Sequence, residues 1–298
     1  MDLETRELRY FVTVAEELHF GRAAERLGMA QPPLSRAIQR LERRLGAVLL
    51  ERDRRGVALT PAGEVLLREG RAVLDAATAA ANRVRRAGGR IVLAVKAGAD
   101  HELLSRLLPA YRDEPGAAEV EVLLCGIGEQ AALLREGRAD AALVHRPFDD
   151  VAGFDVEELL VEEQVAVLPA RHPLARRATL TMAEIADVPD LPLARWPRLE
   201  GGYPPGPGPE VRDQAQVSQL IALGLALLVI PASSRAWQWA EHAGVPVVDA
   251  PPVTTLIAWQ PHSRSRALAG LVRAAVRVGE ETGLGVPEHP AMSAGSIK

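Results

Sequence analysis

Apolar positions near the start of the chain recur at helical spacing. Leu8, Phe11, Val12, Ala15 and Leu18 fall at i, i+3, i+4, i+7 and i+10, which predicts a first helix over roughly residues 4–17 with one buried face. A short helix follows around Gly21 to Leu27, then a tight turn at Gly28-Met29-Ala30. A third helix opens at Gln31 with prolines in its first turn, where missing N–H groups cost little. On this helix Leu34, Ile38, Leu41 and Leu45 form one narrow apolar stripe at about 100° per residue. The same rotation puts Pro32, Arg36, Gln39 and Arg43 near the opposite side, with Ser35 on the flank. An exposed face of guanidinium, amide and hydroxyl groups can donate to phosphates and to base edges in a major groove, and helix–turn–helix is the grammar in which such a face is used.

Alternation then replaces the helical period. Val48 to Glu51 and Val57 to Leu59, around Arg52-Asp53-Arg54-Arg55-Gly56, predict a two-stranded wing. Its arginines either reach the DNA backbone or minor groove, or form a solvated charged turn. Thr60-Pro61 supplies an N-cap and a first-turn proline for a helix running to about Arg86. Its seam includes Ala62, Val65, Leu66, Ala72, Val73, Ala76, Ala77, Ala80 and Val84. So long a helix with one alanine-rich face needs a packing partner, either a second copy of the chain or another part of its own.

Beyond a hinge at Gly88-Gly89, strand and helix patterns alternate: strands at Ile91–Val95, Val120–Leu124 and Ala141–Val144, helices at Glu102–Arg112 and Glu129–Glu136. A second series has strands at Glu163–Leu168, Leu191–Ala194 and Leu227–Ile230 and helices at Met182–Ala186 and Val217–Leu223. Such alternation predicts parallel α/β sheet. The tail from Pro287 is expected to be disordered.

Composition changes this picture in three places. At 298 residues the chain is long enough for two or three domains, and with aromatics at 4% their cores must be aliphatic. The longest apolar run, Leu220 to Ala232, is interrupted by Gly224 and is too short to cross a membrane. Met1-Asp2-Leu3-Glu4 lacks the features of a secretory signal and Cys125 is the single cysteine, so a cytoplasmic location is the expectation. Finally, the net charge of −4 is segregated. Residues 31–90 carry 13 arginines against 6 acids, and residues 91–298 carry 18 basic against 27 acidic groups. Phosphate attraction is thereby concentrated where the helix-turn-helix lies.

Linked motifs at matching spacing make residues 1 to about 90 resemble the DNA-binding part of the LysR-type bacterial transcriptional regulators. They are Leu8-Arg9-Tyr10-Phe11, Ala23-Ala24-Glu25-Arg26-Leu27, Gln31-Pro32-Pro33-Leu34-Ser35-Arg36, Leu41-Glu42, Leu49-Leu50-Glu51-Arg52 and Leu59-Thr60-Pro61-Ala62-Gly63. Looser matches carry the resemblance to about residue 280: Leu134-Arg135-Glu136-Gly137-Arg138-Ala139-Asp140, His172-Pro173-Leu174, Glu210-Val211-Arg212, and Leu223-Gly224 leading to Val229-Ile230-Pro231-Ala232-Ser233. The branch handling aromatic-acid catabolism is the nearest in pattern. The resemblance implies a winged helix-turn-helix domain (1–60), a linker helix and hinge (61–90), and an effector-binding α/β domain (91–298) of two lobes similar to periplasmic solute-binding proteins. Lobe I is expected over about 91–162 and 264–286 and lobe II over about 163–263. It further implies promoter-DNA contacts at Gln31, Pro32, Pro33, Ser35, Arg36, Gln39, Arg43, Arg52, Arg54 and Arg55. Dimerisation is implied through Val65, Leu66, Val73, Ala76 and Ala80, with a homotetramer and RNA polymerase as further partners.

Ligands of open α/β sheets bind at strand C-terminal ends, so Gly98, Ala99, Asp100, Ile127, His145, Arg146 and Arg195 are the candidate effector-binding residues. The effector is a small molecule of unspecified identity, and no cofactor or metal is expected. Asp100 is read first as an N-cap, while His145 and Arg146 are the groups expected to orient a carboxylate. Two departures stand out. Gly98 and Ile127 occupy positions where the aromatic-acid branch offers hydroxyls, and a short Pro/Gly-rich link at Gly201–Pro209 replaces a longer segment that includes a helix. An enzyme is the competing class, but Cys125 has no adjacent histidine and no phosphate-binding glycine loop is present. A solute-binding transporter subunit would have no use for residues 1–90.

Overall fold

Apolar stripes on three helices meet to make the N-terminal core. They are α1 (Thr5–Glu17), α2 (Phe20–Arg26) and α3 (Gln31–Leu45), and Phe11, Val14, Leu34, Ile38 and Leu41 are fully buried between them. The computed structural model describes residues 3–53, 56–85, 89–198, 201–234, 239–261 and 263–283, which divide into an N-terminal and a C-terminal unit near residue 87. Arg54, Arg55, Gly88 and the tail from 287 lie outside the described residues. His19 starts α2, its Nδ1 accepting from the N–H groups of Gly21 and Arg22 at 3.1 and 3.2 Å. Gly46 ends α3 in the left-handed region, at φ 68°.

The wing is an antiparallel pair, β1 (Leu50–Asp53) and β2 (Gly56–Leu59), in register from Leu50↔Leu59 to Asp53↔Gly56. Glu42 ties its root to α3, accepting from the backbone N–H groups of Leu49 and Leu50 at 2.9 and 3.2 Å. Thr60 then caps α4 (Pro61–Arg85): its hydroxyl accepts from Gly63 N at 3.0 Å and donates to Val48 O at 2.7 Å. Helix and wing root approach so closely at Gly63 that a Cβ there would lie 2.1 Å from Leu49 O.

Helix α4 has two apolar faces. Ala62, Leu66, Leu67 and Leu74 pack on the N-terminal core, and a Cβ on Gly70 would touch Leu8 and Val12 of α1. Val65, Val73 and Val84 are 50%, 46% and 75% exposed, and Ala72, Ala76 and Ala80 are exposed with them. Leu66 is therefore engaged within its own unit, which corrects its placement in the expected dimer seam.

In the C-terminal unit, lobe I contains β3 (Arg90–Lys96), α5 (His101–Arg112), β4 (Glu119–Cys125), α6 (Gln130–Arg135), β5 (Ala141–Arg146) and β6 (Asp155–Glu162). Lobe II contains β7 (Gln164–Pro169), α7 (Met182–Ala186), α8 (Gln214–Ala222), β8 (Leu228–Pro231) and β9 (His242–Val247). The chain then returns to lobe I through β10 (Val253–Trp259) and α9 (Arg266–Gly283). The first sheet has the order β4-β3-β5-β10-β6 and the second β8-β7-β9. Leu93, Val95, Leu107, Leu143, Ile257 and Leu271 are fully buried in lobe I, as are Val167, Val217 and Ile221 in lobe II.

Three expectations are corrected here. Only β3, β4 and β5 pair in parallel; β10 runs antiparallel to β5 and β6, and the lobe II sheet is antiparallel throughout. The expected strand at Leu191–Ala194 is an isolated bridge of Leu193 to Leu227. Lobe II ends before Val253 and not near residue 263, because β10 inserts between β5 and β6. The cause is topological: a chain that leaves lobe I after Glu162 must come back, and Gln164 Nε2, donating to Pro251 O at 2.8 Å, holds the two crossings together.

Gly63→Ala is expected to weaken the N-terminal unit by about 2 kcal/mol or more, since backbone and not a flexible side chain blocks the added methyl. Amide hydrogen exchange should show lost protection over α3 and the wing root; unchanged protection would contradict the close approach.

Candidate DNA-binding face and ligand cleft

The outer face of α3 is built by subtraction. Leu34, Ala37, Ile38 and Leu41 are buried, which leaves Gln31, Pro32, Arg36, Gln39, Arg40 and Arg43 exposed and Pro33 and Ser35 partly so. Several other arginines of the unit are committed elsewhere. Arg26 pairs with Glu16 and Glu17 at 2.9 and 3.2 Å, Arg71 with Glu16 at 2.8 Å, and Arg44 with Glu7. Arg36, Arg40 and Arg43 pair with no carboxylate among the described residues, so three uncompensated guanidiniums line one helix face. Arg40 is absent from the predicted contacts, although its i+4 spacing from Arg36 places it beside that group. Arg52 lies in β1 opposite Val57.

In the C-terminal unit a cleft of about 940 Å³ opens between the lobes, with Gly98, Ala99, Asp100, Ile127, His145 and Arg195 among its lining. Its floor is a buried charge network. Asp100 follows β3 in the left-handed region (φ 55°), where aspartate is better tolerated than most residues, and its side chain does not cap α5. The carboxylate instead meets His145, whose Nε2–H donates to Asp100 Oδ1 at 3.0 Å. This corrects the N-cap reading. On the other side of the ring, Nδ1 lies 3.4 Å from Asp149 Oδ2, and the same oxygen accepts from His145 N at 2.8 Å and Lys96 Nζ at 3.2 Å. Asp100 and His145 are each 4% exposed and Asp149 is 7% exposed.

Burial opposes the imidazolium, but the hydrogen bond and charge of Asp100, with Asp149 behind them, overcome it and push His145 up to about 9. Burial likewise opposes the Asp149 anion, and the imidazole and the Lys96 ammonium hold it below the ordinary carboxylate range. Both ring nitrogens of His145 thus face protein carboxylates, and neither is offered to a ligand. Arg146 does not line the cleft; it is exposed and pairs with Glu158 at 3.0 Å. The expectation that these two groups orient a carboxylate is corrected on both counts.

Arg195 is also engaged internally. It donates to Gly208 O at 2.7 Å and Pro204 O at 2.8 Å and pairs with Glu210 at 3.2 Å. It thereby folds the Pro/Gly link into the cleft wall. No helix occurs among the described residues between α7 and α8, and Pro204, Pro205 and Pro207 face the cleft instead. Gly98 is crowded from lobe II: a Cβ there would lie 1.6 Å from Gln214 Oε1, so an amide occupies the space that a serine hydroxyl would need. At the lobe crossing, Glu162 accepts from Ser233 N and Oγ at 2.7 and 2.9 Å. Cys125 also borders the cleft, with its thiol pushed up to about 11 by burial and then by Glu129, and so remains protonated.

A helix-turn-helix with a free cationic face and a two-lobed α/β unit with an interlobe cleft define the class of ligand-responsive DNA-binding proteins. Comparison with known proteins makes the class specific. Residues 5–64 match the family described as bacterial regulatory helix-turn-helix protein, lysR family, and residues 85–279 match the LysR substrate binding domain. The chain belongs to the LysR family of transcriptional regulators. Among its relatives, the regulator AlsR of Bacillus subtilis is 32% identical over 248 residues, 78% of this chain and 82% of the relative. The Hca operon transcriptional activator HcaR of Escherichia coli is 31% identical over 287 residues, 91% and 96% respectively. Of solved structures, full-length BenM aligns with a TM-score of 0.51 at 26% identity, covering 96% of this chain and 100% of that one. Full-length CbnR in complex with its target DNA aligns with a TM-score of 0.51 at 27% identity, covering 93% and 100%. The relatives are transcriptional regulators and not enzymes. Among the described residues no helix is long and apolar enough to cross a membrane.

Because His145 is raised in the fold, its stabilisation is fully present below its unfolded pKa, near 6.5, and is lost as pH rises to about 9. The wild type should therefore lose about 3 kcal/mol of C-terminal-unit stability between about pH 6.5 and 9.5 beyond any loss in His145→Gln. Tryptophan-monitored urea unfolding at the two pH values checks this, and equal losses in the two proteins would contradict it.

Proposed function

We propose that this regulator reads its operator through Ser35, Arg36, Gln39, Arg40 and Arg43, with the wing arginines Arg52, Arg54 and Arg55 adding sequence-independent affinity. The observation that carries this reading is the row of three guanidiniums on α3 that pair with no carboxylate among the described residues, while Arg22, Arg26, Arg44 and Arg71 of the same unit are held by carboxylates. The exposed stripe of Val65, Val73, Ala76 and Ala80 supports a dimer formed by α4 of two copies, which would present two recognition helices to a pseudo-palindromic site. Assembly into a tetramer and contact with RNA polymerase extend this reading. A small molecule held in the interlobe cleft modulates it. The relatives' names include the Hca operon activator but also regulators without an aromatic label, so the ligand is argued from this cleft.

Arg36→Ala is expected to weaken binding by about 1–3 kcal/mol on a duplex selected from a random pool. A salt titration in which wild type and Arg36→Ala/Gln39→Ala bind that duplex equally would sink the assignment. Val65→Asp/Val73→Asp should yield monomers, because each carboxylate would face an apolar seam; retention of dimer mass in sedimentation would refute the α4 interface. In the cleft, Gly98 and Ile127 offer no hydroxyls to a carboxylate, so calorimetry with benzoate and muconate should show weak or no binding. Tight binding of either acid would count against this reading of the cleft.

A further inference from the structure

The cleft floor combines two kinds of unmet hydrogen-bonding demand. The loops after β3 and β4 present the backbone N–H groups of Gly98, Asp100 and Ile127, none of which donates a hydrogen bond among the described residues. These are donors waiting for an anion such as a carboxylate. Beside them, Asp100 uses one carboxylate oxygen on His145, while its Oδ2 is buried without a partner. A buried acceptor without a donor is costly, and a ligand that brings one relieves the cost.

The charges add a constraint. Asp100 is balanced by His145 and Asp149 by Lys96, so the floor neither repels a carboxylate nor supplies a surplus cation to hold one. The walls combine apolar groups, Ile127, Phe148, Leu193, Trp196 and the prolines of the 201–209 link, with the exposed lobe II guanidiniums of Arg198 and Arg212, which add attraction for a carboxylate at the cleft's rim.

We infer that the cleft takes a carboxylic acid carrying a hydrogen-bond donor on its α carbon, an α-amino or α-hydroxy acid with an apolar side chain, with that donor directed at Asp100 Oδ2. The carboxylate meets the loop N–H groups, the α substituent meets Asp100, and the side chain lies along Trp196 and the proline wall. A plain carboxylic acid satisfies the loops and leaves Asp100 Oδ2 unpaired. A plain amine does the reverse. Gln214, packed over Gly98, closes the floor from lobe II. The inference rests on the cleft being the effector site.

The test is calorimetry on the full chain with three matched pairs of probes. They are L-phenylalanine and L-leucine, their α-hydroxy counterparts phenyllactate and 2-hydroxy-4-methylpentanoate, and the donor-free acids 3-phenylpropanoate and 4-methylpentanoate. At least one donor-bearing acid should bind about tenfold or more tightly than its donor-free partner, and the amino and hydroxy arms identify which donor is used. Asp100→Asn, which preserves size, should cut that preference severalfold; if this variant does not fold, the wild-type series alone decides. Equal binding within every set overturns the inference, as does no binding by any of the six acids. If benzoate or muconate binds while the six do not, the effector reading stands and this one falls; if nothing in either panel binds, both fall.

Discussion

Burying three charged side chains together, with a half-buried lysine beside them, is the constraint around which the C-terminal unit is arranged. Lys96, Asp100, His145 and Asp149 come from the ends of β3 and β5 and the loops that follow, and none of the buried three could be so placed without the others. Desolvating a single carboxylate or imidazolium in this position would be prohibitive, whereas the alternating row of charges is internally neutral. The backbone accommodates the row: Asp100 takes a left-handed conformation at the N-cap of α5, and its side chain makes no capping bond but reaches the imidazole. Hydrogen-bonding capacity is nonetheless left over, since the buried side-chain atoms without partners among the described residues, Thr255 Oγ1 included, all belong to this network or touch it. Such a shortfall is what a binding site looks like before its ligand arrives.

A comparable economy of charge organises the N-terminal unit, with the opposite result. Carboxylates at Glu7, Glu16 and Glu17 draw in Arg44, Arg22, Arg26 and Arg71 around α1 and leave α3 with an outward row that no carboxylate among the described residues pairs with. Surface pairs of this kind contribute little to stability. Their effect is to localise positive potential on one helix, and Glu42 and Thr60, through backbone bonds, set the wing beside that helix.

The cleft departs from the one that a resemblance to the aromatic-acid branch implies by more than two missing hydroxyls. Where the resemblance implies a helix, Arg195 pins a proline-rich strap with three contacts and so shapes the cleft wall. Gln214 fills the space above Gly98. Substitutions that look like losses in the sequence are thus compensated by groups far away along the chain.

How much of this is legible in the chain alone follows from the range of the forces involved. The three N-terminal helices, the wing, the free face of α3 and the first βαβ units are set by local periodicity, capping and turn residues, which act within a few positions and are visible in the sequence. Family motifs add the two-lobed body. What the sequence could not display was decided by contacts between distant segments. The place of β10 in the first sheet depends on a return crossing roughly a hundred residues after the strand it joins. The division of α4 into a face against α1 and an exposed face depends on which side α1 occupies. The roles of His145, Arg146 and Arg195 turned on partners at Asp100, Glu158 and Gly208, and a side chain's chemistry says what it can bind without saying what folding has already placed beside it.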